Sequence, residues 1–222
     1  MIGRSFFMAW IASVFITLAC VQADPQAFES HPPWQELFDG KQLAPWQATA
    51  FGGEAEVRIE NGRLLLPFGF PLTGITWQGE PPFRLDYELE LVAARLDGSD
   101  FFCGLTFPVG EEFLTLILGG WGGATCGLSC LDGEDASANE SVRYRRFETG
   151  KDYRIRIQVR RHRIQVWLDD EAFLDQDLSG RRLSLRPEVS LSRPLGIASF
   201  ATSTSLASIR WRPLGSLGRT SP

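Results

Sequence analysis

Residues 119–143 (GGWGGATCGLSCLDGEDASANESVR) hold the densest set of side chains able to do chemistry. Carboxylates Asp132, Glu134, Asp135 and Glu140, the amide Asn139 and the cation Arg143 share a glycine-rich stretch with Trp121. A carboxylate beside a guanidinium can remove a proton while the cation stabilises the developing charge. Glu140 and Asp135 are therefore candidate general bases, and Arg143 a candidate charge stabiliser. Trp121, flanked by glycines, is a candidate ring platform, with Asp132 and Asn139 as candidate polar contacts to substrate. The plain alternative is turn building, which Asp, Asn and Gly favour through local hydrogen bonds and tolerance of unusual backbone angles. The same acids could instead bind a hard cation such as Ca²⁺ if several converged; otherwise no cofactor is expected.

Other chemistries find little support. The histidines are His31 and His162 alone, one in a polar lead-in and one in a hairpin turn. A histidine triad or histidine-rich metal site is not expected. No glycine-rich phosphate loop follows a strand pattern. A Glu-x-Asp-x-x-Glu strand, the acid pattern of laminarinase-like sandwich glycosidases, is absent; Glu88-Leu89-Glu90 offers two acids on the polar face of an early strand. The net charge of -5 disfavours a phosphate backbone as partner, so no nucleic-acid binding is expected. The basic runs at 143–146 and 160–163 are short and read as strand ends or turns.

The elements that must position these residues read as strands. Phe83, Leu85, Tyr87, Leu89 and Leu91 alternate with Arg84, Asp86, Glu88 and Glu90, predicting a strand with one wet face. Residues 101–107 and 113–118 are nearly all apolar, predicting central strands covered on both sides. Asn61-Gly62 between two alternating runs predicts a tight hairpin. A second hairpin is expected from 153–159 and 164–168, with Ile155, Ile157, Val159, Ile164, Val166 and Leu168 inside. Its outer face carries Arg154, Arg156, Gln158, Gln165 and Trp167. Arg154 and Trp167 there are candidate sugar contacts, the plain alternative being packing of Trp167 against arginine stems. Final strands are expected at 196–200 and 208–212, and no stretch shows a sustained helical period. Many short strands with frequent Gly and Pro turns predict an antiparallel all-β sandwich or barrel.

Residues 1–23 read as a secretory signal: Arg4, an uncharged apolar run from Phe6 to Ala19, and small residues at Val21-Gln22-Ala23. Leu18-Ala19-Cys20 admits a lipoprotein reading with Cys20 acylated. Either places the protein outside the cytoplasm, secreted or periplasmic, with no membrane span. Residues 24–33 are a polar lead-in, 34–214 one domain and 215–222 a loose tail. Cys103, Cys126 and Cys130 cannot all pair within one chain; a Cys126–Cys130 bridge and three free, buried thiols are both open readings.

Several motifs in order resemble a known family. Leu37-Phe38-Asp39-Gly40-Lys41 with Leu43 and Trp46 is similar to the opening signature of the 3-keto-disaccharide hydrolases. Tyr153-Arg154-Ile155-Arg156-Ile157, Ile164 with Trp167-Leu168-Asp169-Asp170, Gly196-Ile197 and Ile209-Arg210 resemble its later strands, so the likeness runs from Trp34 to Leu214. The resemblance, to the compact exported versions of planctomycete-like bacteria, implies an antiparallel jelly-roll β-sandwich of the concanavalin A-like lectin and glucanase type. It implies a carbohydrate partner and cleavage of 3-keto-glycosides by hydrolysis or elimination. Phe102-Cys103-Gly104-Leu105 and Ser199-Phe200-Ala201 depart from the family's Asn-Ser-Gly-Ile and Asp-His-Gly, so no role for that histidine carries over. A non-catalytic glycan-binding module and a structural domain of the cell envelope are the alternatives.

Overall fold

The computed structural model describes residues 32–215. The expected signal, Cys20, His31, most of the lead-in and the end of the tail lie outside the described residues. Fifteen strands form two antiparallel sheets. The first sheet runs in the order β13 (Glu171–Asp177), β12 (Arg163–Leu168), β11 (Tyr153–Arg160), β6 (Tyr87–Gly98), β15 (Thr202–Pro213), β4 (Arg63–Leu66) and β3 (Arg58–Glu60). β1 (Gln35–Phe38) continues along the β4 edge of β15. The second runs β10 (Arg143–Tyr144), β9 (Thr125–Ser129), β8 (Glu112–Gly120), β7 (Cys103–Val109), β14 (Gly196–Phe200), β5 (Leu72–Trp77) and β2 (Trp46–Ala48). This is the antiparallel sandwich expected from the strand pattern, in the jelly-roll form that the family resemblance implies. Among the described residues no helix is long and apolar enough to cross a membrane.

Alternation explains the layering. Ile155, Ile157, Val159, Ile164, Val166 and Leu168 are fully buried between the sheets, facing Leu105, Phe107, Leu114, Leu116 and Leu118. Each such side chain gives about 1.5–3 kcal/mol by leaving water. Asn61 and Gly62 take positive φ, as a tight β3–β4 turn requires. β7 is buried along its whole length, as its continuous apolar run predicted.

The wet face expected on β6 is instead covered, and the strand begins at Tyr87 rather than Phe83. Glu88 is 1% exposed and Glu90 6%. Register places Arg156 and Gln158 on one side of them and Arg210 and Arg212 on the other. Glu88 accepts from Arg156 Nη1 at 3.0 Å and Arg212 Nε at 2.5 Å; Glu90 accepts from Arg210 Nε at 2.9 Å. The alternation was sound, but cross-strand arginines close over the acids. Trp167 lies under the Arg156 guanidinium at 4.2 Å, and Trp34 under Arg210 and Arg212 at 4.9 and 4.5 Å.

Cys126 and Cys130 are not bridged; with Cys103 they are free and buried. β9 runs extended between them, so four residues span roughly 13 Å, well beyond disulfide reach. Burial pushes the thiols of Cys103 and Cys126 up to about 12 and about 11, so both are inert at neutral pH.

Removing one guanidinium from Glu88 leaves a buried carboxylate half satisfied. Arg212→Ala is expected to lower unfolding free energy by about 1–3 kcal/mol in urea titrations. An unchanged midpoint would show that the ion pair adds nothing.

Candidate functional site

The outer face of the second sheet is also apolar. Leu72, Phe101, Ile117 and Ala198 form a second buried cluster with Ala136 and Val189, separate from the core between the sheets. Residues 181–194 and 130–139 cover it. Residues 182–184 run antiparallel to 130–132: Cys130 and Ser184 exchange backbone bonds of 2.8 and 3.2 Å, and Asp132 N donates to Arg182 O at 2.9 Å. Pro187 then fits the first position of a two-turn 3-10 helix, Pro187–Ser192, which crosses the sheet as a strap. The strap sits close to β14, because a Cβ on Gly196 would lie 2.5 Å from Ser192 O.

A cleft of about 170 Å³ opens between the strap and the β8–β9 turn. Leu72, Phe101, Ile117, Val189 and Phe200 give it apolar walls. Thr115 and Ser129, paired across β8 and β9, add hydroxyls, and Asp100, Arg186 and Glu188 add charge. Trp121 stands at its edge, 43% exposed. This volume lies below the roughly 300–1,000 Å³ of drug-sized sites, so it suits one ring rather than a chain.

Trp121 is held from below by Arg95, a buried cation on β6. Arg95 Nη2 donates to the carbonyls of Asp100, Gly119 and Gly123 at 3.0, 3.1 and 3.3 Å. A Cβ on Gly119 would lie 2.4 Å from that nitrogen, and on Gly123 3.2 Å from Nη1. The glycines around Trp121 thus make room for a guanidinium, and Trp121 itself adopts φ 48° in the resulting turn. Burial lowers the Arg95 pKa, partly offset by Asp100, and Nε finds no partner among the described residues.

The proposed site residues fall into separate groups. Asp135 Oδ2 accepts from Arg186 Nη1 at 2.6 Å, while its Oδ1 accepts from Ser137 N and Oγ at 2.9 and 2.6 Å. Burial alone would raise its pKa; the Ser137 bonds and the Arg186 charge outweigh it and hold the carboxyl below its usual range. Arg186 also grips Glu188 at 2.8 Å, which lowers that acid too. Asp135 therefore reaches the cleft only through Arg186. Asp132 and Glu140 gather on Arg181 instead, with Gln176 Nε2 donating to Glu140 at 2.9 Å. Neither lines the cleft, and the acids do not converge as cation ligands. Arg143 donates to the Glu140 and Val142 carbonyls, outside the cleft lining.

Asn139 is turned inward, 4% exposed. Its Nδ2 donates to the carbonyls of Leu128, Glu134 and Asp135, and its Oδ1 accepts from Ser141 N and Oγ. It bolts the acidic loop to β9. Arg154, ion-paired with Asp170, and Trp167 lie on the outer face of the first sheet, on the other side of the sandwich. Asp100, Phe200 and Arg95 join the site without a local signal in the chain.

No protein-family profile matches the sequence, and no curated protein matches it. Solved structures share the fold. The Crh5 transglycosylase superposes with TM-score 0.58 at 9% identity, over 82% of this chain and 84% of that one. A GH16 endo-β-1,3(4)-glucanase, SCLam, gives 0.53 at 10% over 83% and 93%. The CBM66 carbohydrate-binding module of Bacillus subtilis gives 0.50 at 13% over 81% and 99%.

Arg95→Met removes the donor to three buried carbonyls, each costing about 1–3 kcal/mol when orphaned. It is expected to lower the urea midpoint clearly and raise amide exchange in residues 119–123; native-like exchange there would refute the support. Asp135 and Glu188 have depressed pKa values, so their stabilisation is complete above about pH 4 and is lost as pH falls through the lower folded values. Arg186→Met should flatten that acid limb in urea midpoints from about pH 7 to about pH 3; an unaltered slope would contradict the assignment.

Proposed function

We propose that this chain is an exported carbohydrate-recognising module that holds one sugar ring in the cleft beside Trp121. The observation that carries this reading is Trp121 itself, fixed at the rim of a ring-sized slot with hydroxyl and charged groups in its wall. An indole face packs on the apolar face of a pyranose or furanose. Glu188 and Asp100 offer acceptors for sugar hydroxyls, above a floor of the buried Thr115 and Ser129. Sandwiches of this architecture include a carbohydrate-binding module and sugar-active enzymes, which supports a saccharide ligand here. The leader at 1–23 fits a partner met outside the cytoplasm.

Cleavage of 3-keto-glycosides is the second reading, favoured by the Glu188–Arg186 pair at the cleft wall. The ketone acidifies the neighbouring C–H. Removal of that proton sends the electron pair into an enolate and then expels the glycosidic oxygen at the β carbon. One base and one cation would serve. Glu188 and Asp100 are better placed for this than Glu140 or Asp135, which do not line the cleft.

The test is calorimetric titration with a panel of mono- and disaccharides and their 3-keto forms, with chromatographic product detection. Binding that weakens about tenfold in Trp121→Ala, without turnover, is the expected result. Product formation abolished in Glu188→Gln would establish the cleavage reading instead. Absence of binding to every sugar, or an indifferent Trp121→Ala, would overturn both.

A further inference from the structure

The strap leaves a second, larger cleft on its other side. Its volume is about 730 Å³, against about 170 Å³ beside Trp121, and it falls inside the range of sites that hold extended ligands. Its lining combines hydroxyls, amides and cations. Thr49 and Thr76 hydroxyls lie 2.7 Å apart and are buried. Thr76 donates onward to the strap carbonyl of Leu191 at 3.1 Å, so Thr49 donates to Thr76 and both oxygens keep lone pairs for outside donors. Gln47 and Gln78 add exposed amides.

Trp77 points the other way. One residue on from Thr76 in β5, it packs on the core between the sheets and meets Trp46 edge-on at 5.3 Å and 88°. It anchors the strand that presents Thr76 to the cleft.

The charges are unbalanced. Arg84 is matched by Glu80. Arg193 is exposed and donates only its Nε, to Ser190 O at 3.1 Å; among the described residues it forms no ion pair. In a chain of net charge -5, with carboxylates in excess, a guanidinium left unmatched in a cleft is suited to an external anion.

We propose that this cleft binds an acidic oligosaccharide. A uronate carboxylate or a sulfate ester sits on the Arg193 guanidinium, and sugar hydroxyls bond Thr49, Thr76, Gln47 and Gln78. The site is independent of the Trp121 cleft and stands or falls separately from it.

Titration calorimetry with three tetrasaccharides tests it: an oligogalacturonate, a chondroitin sulfate fragment and a neutral cello-oligosaccharide. At least one anionic ligand binds more tightly than the neutral one, and its affinity falls as salt rises from about 50 to about 300 mM. The uronate and sulfate arms identify the anionic group. Arg193→Gln weakens that binding by roughly tenfold or more, Arg193→Lys restores part of it, and Trp121→Ala leaves it unchanged. Urea midpoints equal to wild type confirm that the Arg193 variants are folded, as an exposed side chain predicts. Failure of both anionic ligands to bind, equal binding of the neutral one, or loss in Trp121→Ala rather than Arg193→Gln overturns the proposal.

Discussion

Everything on the functional side of this sandwich depends on how the apolar outer face of the second sheet is covered. Leu72, Ile117, Ala198 and Phe101 would otherwise stand in water, and a patch of that kind must be buried or bound. Two turns of 3-10 helix are too short to be stable alone. The strap holds because three constraints act together. Gly196 lets the backbone at Ser192 come within reach of the sheet, Val189 joins the apolar cluster, and Arg186 ties the strap to Asp135 across the acidic loop. A cover only a few residues wide divides the face, and the two clefts are the spaces it leaves. Their unlike characters follow from which strands each overlies: β8 and β9 beside Trp121, β2 and β5 beside Trp77.

Buried charge separates the two faces of the molecule. On the first sheet, Glu88 and Glu90 meet arginines from both neighbouring strands, and the remaining cation faces are taken by Trp34 and Trp167. That surface satisfies itself, so Trp167 is not a vacant platform: its own arginine occupies it. On the other side, Arg95 has no carboxylate within ion-pair distance among the described residues and is held by carbonyl dipoles, with the Asp100 charge further off. Such a group is costly to bury unless its bonds are made. Here those bonds fix the turn that carries Trp121.

Strand identity was legible in residue alternation, because a period of two survives whatever the partner strand. Ile155 to Leu168 sat as predicted, and the Asn61-Gly62 hairpin formed where positive φ was affordable. The fate of polar faces was not legible. Glu88 looked solvated because the arginines that cover it are about 70 and 124 residues away in the chain. The same limit applied to the site. Asp132, Asp135 and Glu140 stood together in sequence, but the loop turns between them, and Arg181 and Arg186 draw them to different places. Asp100 and Phe200, each unremarkable locally, meet only because Phe200 N bonds Phe101 O across the sheet end.

The same charge arrangement bears on what the Trp121 cleft can do. A base that removes a proton from carbon works best when its pKa is raised towards neutrality, as burial without a counter-charge would do. Arg186 does the reverse to Glu188, and the Ser137 hydrogen bonds together with Arg186 do so to Asp135, holding both below the usual carboxylate range. A carboxylate stabilised in its ionised form is a weak proton acceptor and a strong, persistent acceptor of hydroxyl hydrogen bonds. The proposed recognition of a sugar ring would use that state directly. Cleavage would require the ligand first to loosen the Arg186 grip, so that the cation moves to the developing enolate and Glu188 regains basicity. On the proposed reading, this state suits holding a ring over breaking its bond, and Arg186 is the residue on which the choice turns.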